Sequence, residues 1–267
     1  CGAFGPVTTG RTCQECVWEE EKTTFPVPSR VVMQDSADPW LQHVSDDIDV
    51  SIILGTVRRP SMLRDCIVAI RASIAGSFYT YEIVVAYGEG NDPSLEWLQQ
   101  QTDCRVVNGG MTGAIDAINL AYSASKGRAI CQINDDVTVD ERAIPIALDH
   151  LDRDPSSAGV VFMFDRKDGR GLRTESLSNG ALHPNQVVAR RSTCEAVSGL
   201  IGAFWGNEEH RTDKTYGGDS AFGAACVHLG LRLDAVPGVT CRDRQNEADD
   251  FIRSKNRNLR DGHFQNW

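Results

Sequence analysis

Short apolar segments rich in β-branched residues alternate with helix-like segments through the first half of the chain. Four such segments stand out: Val50–Leu54, Glu82–Ala86, Cys104–Val107 and Arg128–Ile133. They recur about every 25 to 30 residues, and stretches with apolar residues at helical spacing separate them. This alternation is typical of parallel βαβ units with right-handed crossovers. It therefore predicts an α/β fold with a mostly parallel central sheet flanked by helices.

Polar and glycine residues follow each predicted strand. They are Gly55–Arg58, Ala86–Gly88, Asn108–Gly110 and Asn134–Asp136. In open parallel sheets, ligands bind outside the carboxyl ends of the strands. We therefore expect these segments to converge on one ligand site.

Composition narrows the class of protein. The chain has 267 residues, of which 41% are hydrophobic and 24% charged, as in ordinary globular domains. Its formal net charge is −10, which argues against a nucleic-acid partner because such proteins usually present a basic face. No apolar run reaches the roughly 18–20 residues of a membrane span. We therefore expect no transmembrane segment. No secretory signal opens the chain, and six of the nine cysteines are scattered without paired spacing, so we expect a cytoplasmic location.

Three regions differ in character. Residues 1–47 lack sustained periodicity and are predicted to be an N-terminal extension. Within this extension, Cys13 and Cys16 form a C-x-x-C pair, which either binds a metal ion or does not bind one. Residues 48–243 are predicted to form the main α/β domain. Residues 244–267 form a basic segment, which is either a solvated helix face or a contact for a phosphate-bearing ligand.

Two adjacent carboxylates, Asp135 and Asp136, directly follow a predicted buried strand. Neighbouring carboxylates repel each other unless a cation or hydrogen-bond donors neutralise them. A hard divalent ion, with further oxygen ligands from a diphosphate, is one solution. The other is a helix N-terminus, where Asp and Asn are favoured as caps.

Five segments, taken together and in order, resemble the nucleotide-sugar glycosyltransferases of the GT-A fold, in particular the inverting enzymes of family 2. The resemblance covers roughly residues 49–243. The segments are Val50–Pro60, Glu82–Val85 with Gly88, Gly113–Asn119, the DXD-like Ile133–Asp136, and Gly217–Phe222 with Leu229–Arg232.

The resemblance implies a donor site for a nucleotide sugar. Gly55, Thr56 and Arg58 would bind the nucleotide, Thr56 and Arg58 by contacting the base or ribose, and Asp135 would lie near the ribose. Asp136 would hold Mg²⁺ or Mn²⁺ on the diphosphate. By the same resemblance, Asp219 would be the general base that takes a proton from a hydroxyl of a glycan or other acceptor.

The chain departs from the family pattern at several positions. Ala86–Tyr87 replaces the usual aspartate after the second strand, which leaves the donor base open and makes Tyr87 a candidate stacking group. The first acidic position of the metal motif is Asn134. Gly218 replaces the usual glutamate before Asp219. Where the family often has a late histidine ligand, Asp243 is the candidate metal ligand.

Alternatives remain at the level of residues and of function. Asp219 is either the base or only a helix cap, and Trp205 is either an acceptor platform or a packing residue. The resemblance favours a metal-dependent inverting glycosyltransferase. The alternatives are a catalytically inactive binding or scaffold protein of the same fold and a different nucleotide-dependent enzyme, although no G-x-G-x-x-G for a dehydrogenase follows the first strand.

Overall fold

The computed structural model describes residues 48–56, 59–87, 93–108, 113–165, 171–206 and 217–244. The N-terminal extension with Cys13 and Cys16, the residue Arg58, and the basic segment beyond Arg244 lie outside the described residues. The sequence-based expectations for these parts, and for the domain boundaries, stay predictions.

The described residues form ten strands and six helices. The strands are β1 (Val50–Thr56), β2 (Tyr81–Tyr87), β3 (Cys104–Asn108), β4 (Ala129–Gln132), β5 (Val137–Val139), β6 (Ser157–Asp165), β7 (Glu175–Ser176), β8 (Leu182–His183), β9 (Val187–Arg190) and β10 (Arg232–Asp243). The helices are α1 (Pro60–Ile74), α2 (Leu95–Gln99), α3 (Ala114–Ala124), α4 (Ala143–Arg153), α5 (Arg191–Ile201) and α6 (Gly218–His228).

Eight of these strands form one sheet in the order β3-β2-β1-β4-β9-β6-β10-β5, and β7 and β8 form a separate hairpin. The pairs β1–β2, β2–β3, β1–β4 and β6–β10 are parallel. The strands β9 and β5 run antiparallel to their neighbours. The prediction of an α/β fold with a mostly parallel central sheet is therefore confirmed.

Helices cover both faces of the sheet, which explains why the strand sequences are continuously apolar. In β1, Ile52 and Leu54 pack on one face with residues of α1 and α4. Ile53 points to the other face, where residues of α3, α5 and α6 form a second cluster. Because successive strand residues face opposite sides, both sets are buried only in a sheet that is covered twice.

The long strand β10 carries the chain back to the carboxyl edge of the sheet. Its register against β6 shifts between Ala235 and Thr240, and Gly238 has a φ of 89° within this irregular stretch. Beyond the shift, β10 also pairs with β5, so that Asp243 lies opposite Val137.

Five of the six cysteines in the described part of the chain are buried, and Cys104 is partly exposed. None of the helices described here combines the length and the apolar character needed to cross a bilayer.

Candidate functional site

Three neighbouring parallel strands end side by side at one edge of the sheet. Thr56 at the end of β1 is paired with Tyr87 at the end of β2, which is paired with Asn108 at the end of β3. On the other side of β1, β4 ends at Gln132 and leads directly into Asp135 and Asp136. The edge predicted from the sequence thus brings Thr56, Tyr87 and the acidic pair together.

A buried cluster of four side chains occupies this edge. The Thr56 hydroxyl donates a hydrogen bond to Asp135 Oδ2 at 2.8 Å. Nη1 of Arg59 donates to Asp135 Oδ1 at 3.0 Å and to Asp136 Oδ2 at 2.9 Å. Arg59 is 9% exposed, Asp135 6% and Asp136 4%. The adjacent carboxylates are therefore neutralised in part by an arginine and not by the backbone amides of a helix N-terminus.

The charges of this cluster do not balance. Two carboxylates face one guanidinium, so the ionised cluster carries one excess negative charge in a buried place. Burial raises the pKa of Asp135 to about 6; Arg59 opposes the rise and the Asp136 carboxylate adds to it. The excess negative charge among these four described side chains makes binding of a further cation favourable.

An amide network fixes the backbone just before the acidic pair. The Asn134 backbone N–H donates to Gln186 Oε1 at 2.8 Å, and Gln132 Nε2 donates to Asn134 Oδ1 at 2.9 Å. Gln132 and Gln186 are buried. The side-chain oxygen of Asn134 is thus engaged with Gln132, so the residue in the first position of the DXD-like motif serves here to hold the turn.

The end of β10 lies against the same turn. Asp243 is paired with Val137, and the backbone N–H of Arg244 donates to the carbonyl oxygen of Asp136 at 2.9 Å. Asp243 is partly exposed, and its backbone lies beside the turn that carries the buried pair. Carboxylate oxygens are the ligands preferred by Mg²⁺ and Mn²⁺, so the donor chemistry of Asp136 and Asp243 is of the kind that suits a hard divalent cation.

Among the described residues, the group of three potential ligands with the spacing to hold a metal is His150, Asp154 and Asp234, which includes neither Asp136 nor Asp243. It lies at the opposite end of β10, where the guanidinium of Arg232 contacts both Asp154 and Asp234. Because Asp234 lies near the start of β10 and Asp243 at its end, this group is not part of the candidate site at the carboxyl edge.

Asp219 lies in the first turn of α6, whose N-cap is Gly217. Its Oδ1 accepts a hydrogen bond from the backbone N–H of Ser220 at 2.8 Å, and its side chain is 29% exposed. The position suits a carboxylate because helix N-termini are partially positive. The carboxylate is nonetheless accessible, which a general base requires.

His183, on the β7–β8 hairpin, lies between the carboxylates of Glu175 and Asp219. Its Nε2 is 3.0 Å from Ser220 Oγ and 3.8 Å from Asp219 Oδ2. Its Nδ1 is 3.9 Å from Glu175 Oε2, and this nitrogen is buried with no hydrogen-bond partner among the described residues. The hairpin thus places the His183 imidazole beside the candidate base.

Trp205 is a packing residue of this region. It is 4% exposed, packs against Phe204 and Phe222, and is held by a backbone hydrogen bond to Asn119 Oδ1 at 2.8 Å. A Cβ on Gly218 would lie only 2.1 Å from its Cδ1. The ring thus fills the space that a side chain at position 218 would need, which explains the glycine there and favours the packing alternative for Trp205.

Gly55 also has a packing role. A Cβ at this position would lie 2.8 Å from Cβ of Ala117, so the glycine lets α3 approach β1 closely. A series of contacts also links α3 to Asp219. Asn119 on α3 accepts a hydrogen bond from the backbone N–H of Trp205, and Trp205 packs against Gly218, the residue before Asp219. Tyr87 is 8% exposed, which leaves little of its ring available for stacking.

Sequence reasoning missed Arg59, although it identified Thr56, Asp135, Asp136 and the neighbouring Asp243. The signal was present: Arg59 directly precedes Pro60, the first residue of α1, and is therefore fixed at the junction between the first strand and the first helix. The binding and catalytic roles assigned to the site residues remain predictions.

Comparison with solved structures gives the same architecture. S. aureus TarS 1–349 shares 16% identity and a TM-score of 0.58, with 75% of this chain and 61% of that chain covered. The mannosyltransferase PcManGT from Pyrobaculum calidifontis, solved in complex with GDP-Man and Mn²⁺, shares 17% identity and a TM-score of 0.57, with 81% and 64% covered. TarS 1–349 in complex with UDP-GlcNAc shares 15% identity and a TM-score of 0.58, with 78% and 61% covered. The chain thus spans about three fifths of the length of these structures, and the likeness shows the fold.

A search of curated proteins gave no match. Residues 51–210, more than half of the chain, match the family model described as glycosyl transferase family 2. This segment includes β1, the acidic pair and the strands between them. The chain belongs to glycosyl transferase family 2.

Proposed function

We propose that this protein is a glycosyltransferase that moves a sugar from a nucleoside-diphosphate donor to an acceptor hydroxyl. The observation that carries the proposal is the buried cluster of Thr56, Arg59, Asp135 and Asp136 at the carboxyl edge of the sheet of a family 2 chain. Such an edge is where α/β sheets bind nucleotides.

The donor nucleotide is proposed to lie over the ends of β1 and β2. Asp135 is held from one side by Thr56 and from the other by Arg59, so its carboxylate is oriented to accept hydrogen bonds from ribose hydroxyls. Arg58 is proposed to contact the base or ribose. TarS was solved with UDP and with UDP-GlcNAc, and PcManGT with GDP-Man, so uridine and guanosine donors are the first to test.

Asp136 and Asp243 are proposed to hold Mn²⁺ or Mg²⁺. The fit rests on their oxygen ligands, on the excess negative charge of the buried cluster, and on the β5–β10 pairing that brings Asp243 beside the turn. A divalent ion bound here would stabilise the negative charge that accumulates on the departing nucleoside diphosphate.

Asp219 is proposed to be the general base. Its accessible carboxylate takes the proton from the acceptor hydroxyl as that oxygen attacks the anomeric carbon and the bond to the diphosphate breaks. A single displacement of this kind inverts the anomeric centre. The Ser220 N–H orients the carboxylate, and His183 lies beside it, with its Nε2 3.8 Å from Asp219 Oδ2 and hydrogen-bonded to Ser220 Oγ.

The test measures binding first and transfer second. We expect UDP or GDP to raise the melting temperature in the presence of Mn²⁺ and to do so much less without it, because a ligand at about 100 times its Kd adds about 2.7 kcal/mol. A panel of nucleotide sugars and sugar acceptors then gives a product whose anomeric configuration, read by NMR, is opposite to that of the donor.

Other outcomes of the same test contradict the proposal. Retention of configuration would contradict the single displacement. Donor binding with neither transfer nor donor hydrolysis across a broad acceptor panel would instead support the alternative of a catalytically inactive binding protein. Failure of any nucleotide to bind would contradict the donor site itself.

A further inference from the structure

Arg59 binds both members of the acidic pair through one nitrogen. Nη1 lies 3.0 Å from Asp135 Oδ1 and 2.9 Å from Asp136 Oδ2. All three side chains are more than nine-tenths buried. At such distances in a buried place, the guanidinium is a strong electrostatic partner of both carboxylates.

The backbone fixes where this guanidinium can go. Arg59 is the N-cap residue of α1. The next residue is Pro60, whose ring restricts the φ angle of Pro60. The carbonyl oxygen of Arg59 accepts a hydrogen bond from the Leu63 N–H at 2.9 Å. The arginine is therefore anchored at the start of a helix that packs one face on the core, and its own side chain is buried and not at the surface.

A metal ion on Asp136 would have to share that carboxylate with Arg59. A divalent ion on that carboxylate would lie close to the guanidinium, and the two positive charges would repel each other. A bound nucleoside diphosphate would supply negative charge that offsets this repulsion. The energetic cost of placing the ion beside Arg59 is thus large when the nucleotide is absent and small when it is present.

We propose that Arg59 is a resident counter-ion that keeps divalent-metal affinity low in the nucleotide-free protein and thereby couples metal binding to nucleotide binding. The proposal rests on the metal site of the proposed function. By linkage, the factor by which the nucleotide tightens metal binding equals the factor by which the metal tightens nucleotide binding.

The experiment is a calorimetric titration of Mn²⁺ into the nucleotide-free full chain and into the chain saturated with UDP or GDP. In Arg59→Gln we expect Mn²⁺ alone to bind about tenfold or more tightly than in the wild type, because a positive charge next to the ligand is gone. The nucleotide should then tighten Mn²⁺ binding less than it does in the wild type.

Arg71→Gln is the matched control. It also removes one positive charge from α1, but at the other end of the helix, where Arg71 Nε pairs with the half-exposed Asp103 at 2.9 Å. We expect its Mn²⁺ affinity to be close to that of the wild type. An equal effect in both variants would show that net charge alone is responsible and would overturn the proposal.

A second comparison serves if Arg59→Gln does not fold. Asp135→Asn and the double variant Asp135→Asn/Arg59→Gln have the same potential metal ligands and differ only in Arg59. Removing both partners of a buried pair is generally tolerated better than removing one. The double variant should bind Mn²⁺ about tenfold or more tightly than Asp135→Asn, and equal or weaker binding would contradict the proposal.

The outcomes separate this inference from the proposed function. If the wild type binds Mn²⁺ with nucleotide and removal of Arg59 changes nothing, the counter-ion role is wrong and the metal site stands. If Mn²⁺ binds only after removal of Arg59, the counter-ion role stands and metal dependence of the natural enzyme is wrong. If no form binds Mn²⁺, both are wrong.

Discussion

Gly218→Ala tests whether the first turn of α6 is positioned by Trp205. The added methyl carbon would lie 2.1 Å from Trp205 Cδ1 and 2.6 Å from its Nε1 and carbonyl oxygen. Favourable contacts between carbon atoms are about 3.5–4.0 Å, so the helix and the ring must separate by well over an ångström. The ring cannot retreat easily, because Phe204 and Phe222 pack against it and Asn119 holds its backbone.

Overpacking of this kind typically costs about 1–3 kcal/mol. For a domain of about 200 residues, that corresponds to a fall of about 2–12 °C in melting temperature, which differential scanning calorimetry resolves. Since the strain acts on the turn that carries Asp219, we also expect sugar transfer to fall more than donor binding.

Two variants control this experiment. Gly199→Ala lies in α5, where an added Cβ meets nothing within 4 Å, and should raise stability by about 0.5–1 kcal/mol through helix propensity. Trp205→Leu makes room at Gly218, so the double variant should lose less stability than the sum of the two single variants, by about 0.5–3 kcal/mol. An unchanged melting temperature in Gly218→Ala, or strict additivity in the double variant, would refute the role given to this contact.

Three other perturbations test the site and its surroundings. Asp136→Ala should abolish the Mn²⁺-dependent part of nucleotide binding; unchanged Mn²⁺–nucleotide affinity by calorimetry would exclude it as a ligand. Asp219→Asn should retain donor binding and lose transfer by about 10²–10⁴-fold, and near-normal turnover would remove it as the base. The hydrogen bond from Arg128 holds the pKa of Asp152 below its ordinary value, so its contribution to stability is complete above about pH 4 and is lost as the pH falls further. Asp152→Asn should therefore lower the melting temperature slightly at pH 7, by the equivalent of less than about 1 kcal/mol for this half-exposed pair, and not at pH 2; an equal loss at both values would show that the effect is not electrostatic.

The first half of the fold follows from local signals in the sequence. Both faces of the early strands are buried, so each strand is a short apolar run and its end is marked by a change to polar or glycine residues. Because parallel strands end at a common edge, the placement of Thr56 beside Tyr87, and of Asp135 near Thr56, was predictable.

The second half depends on long-range pairing, which periodicity does not reveal. The strand β9 enters the sheet antiparallel between β4 and β6. The strand β10 continues through Pro237 and Gly238, residues that ordinarily end a strand, because β6 and β5 pair with its last residues, from Thr240 to Asp243. Asp243 was therefore proposed from resemblance, and its place opposite Val137 is known only from the structure.

Side-chain partners were the least predictable part of the site. Arg58 and Arg59 are adjacent and chemically identical, and only the geometry of the β1–α1 junction shows that Arg59 reaches the acidic pair. Likewise, Trp205 was a candidate acceptor platform until its contact with Gly218 explained it as packing. In both cases the deciding factor is a contact between residues distant in sequence.

A crystal structure of the protein with a nucleoside diphosphate and Mn²⁺ tests the central claim most directly. We predict an anomalous manganese peak beside Asp136 and Asp243, a diphosphate bound to that ion, and the ribose at Asp135. A nucleotide bound elsewhere, or a diphosphate at this edge with no manganese beside Asp136, would contradict the account.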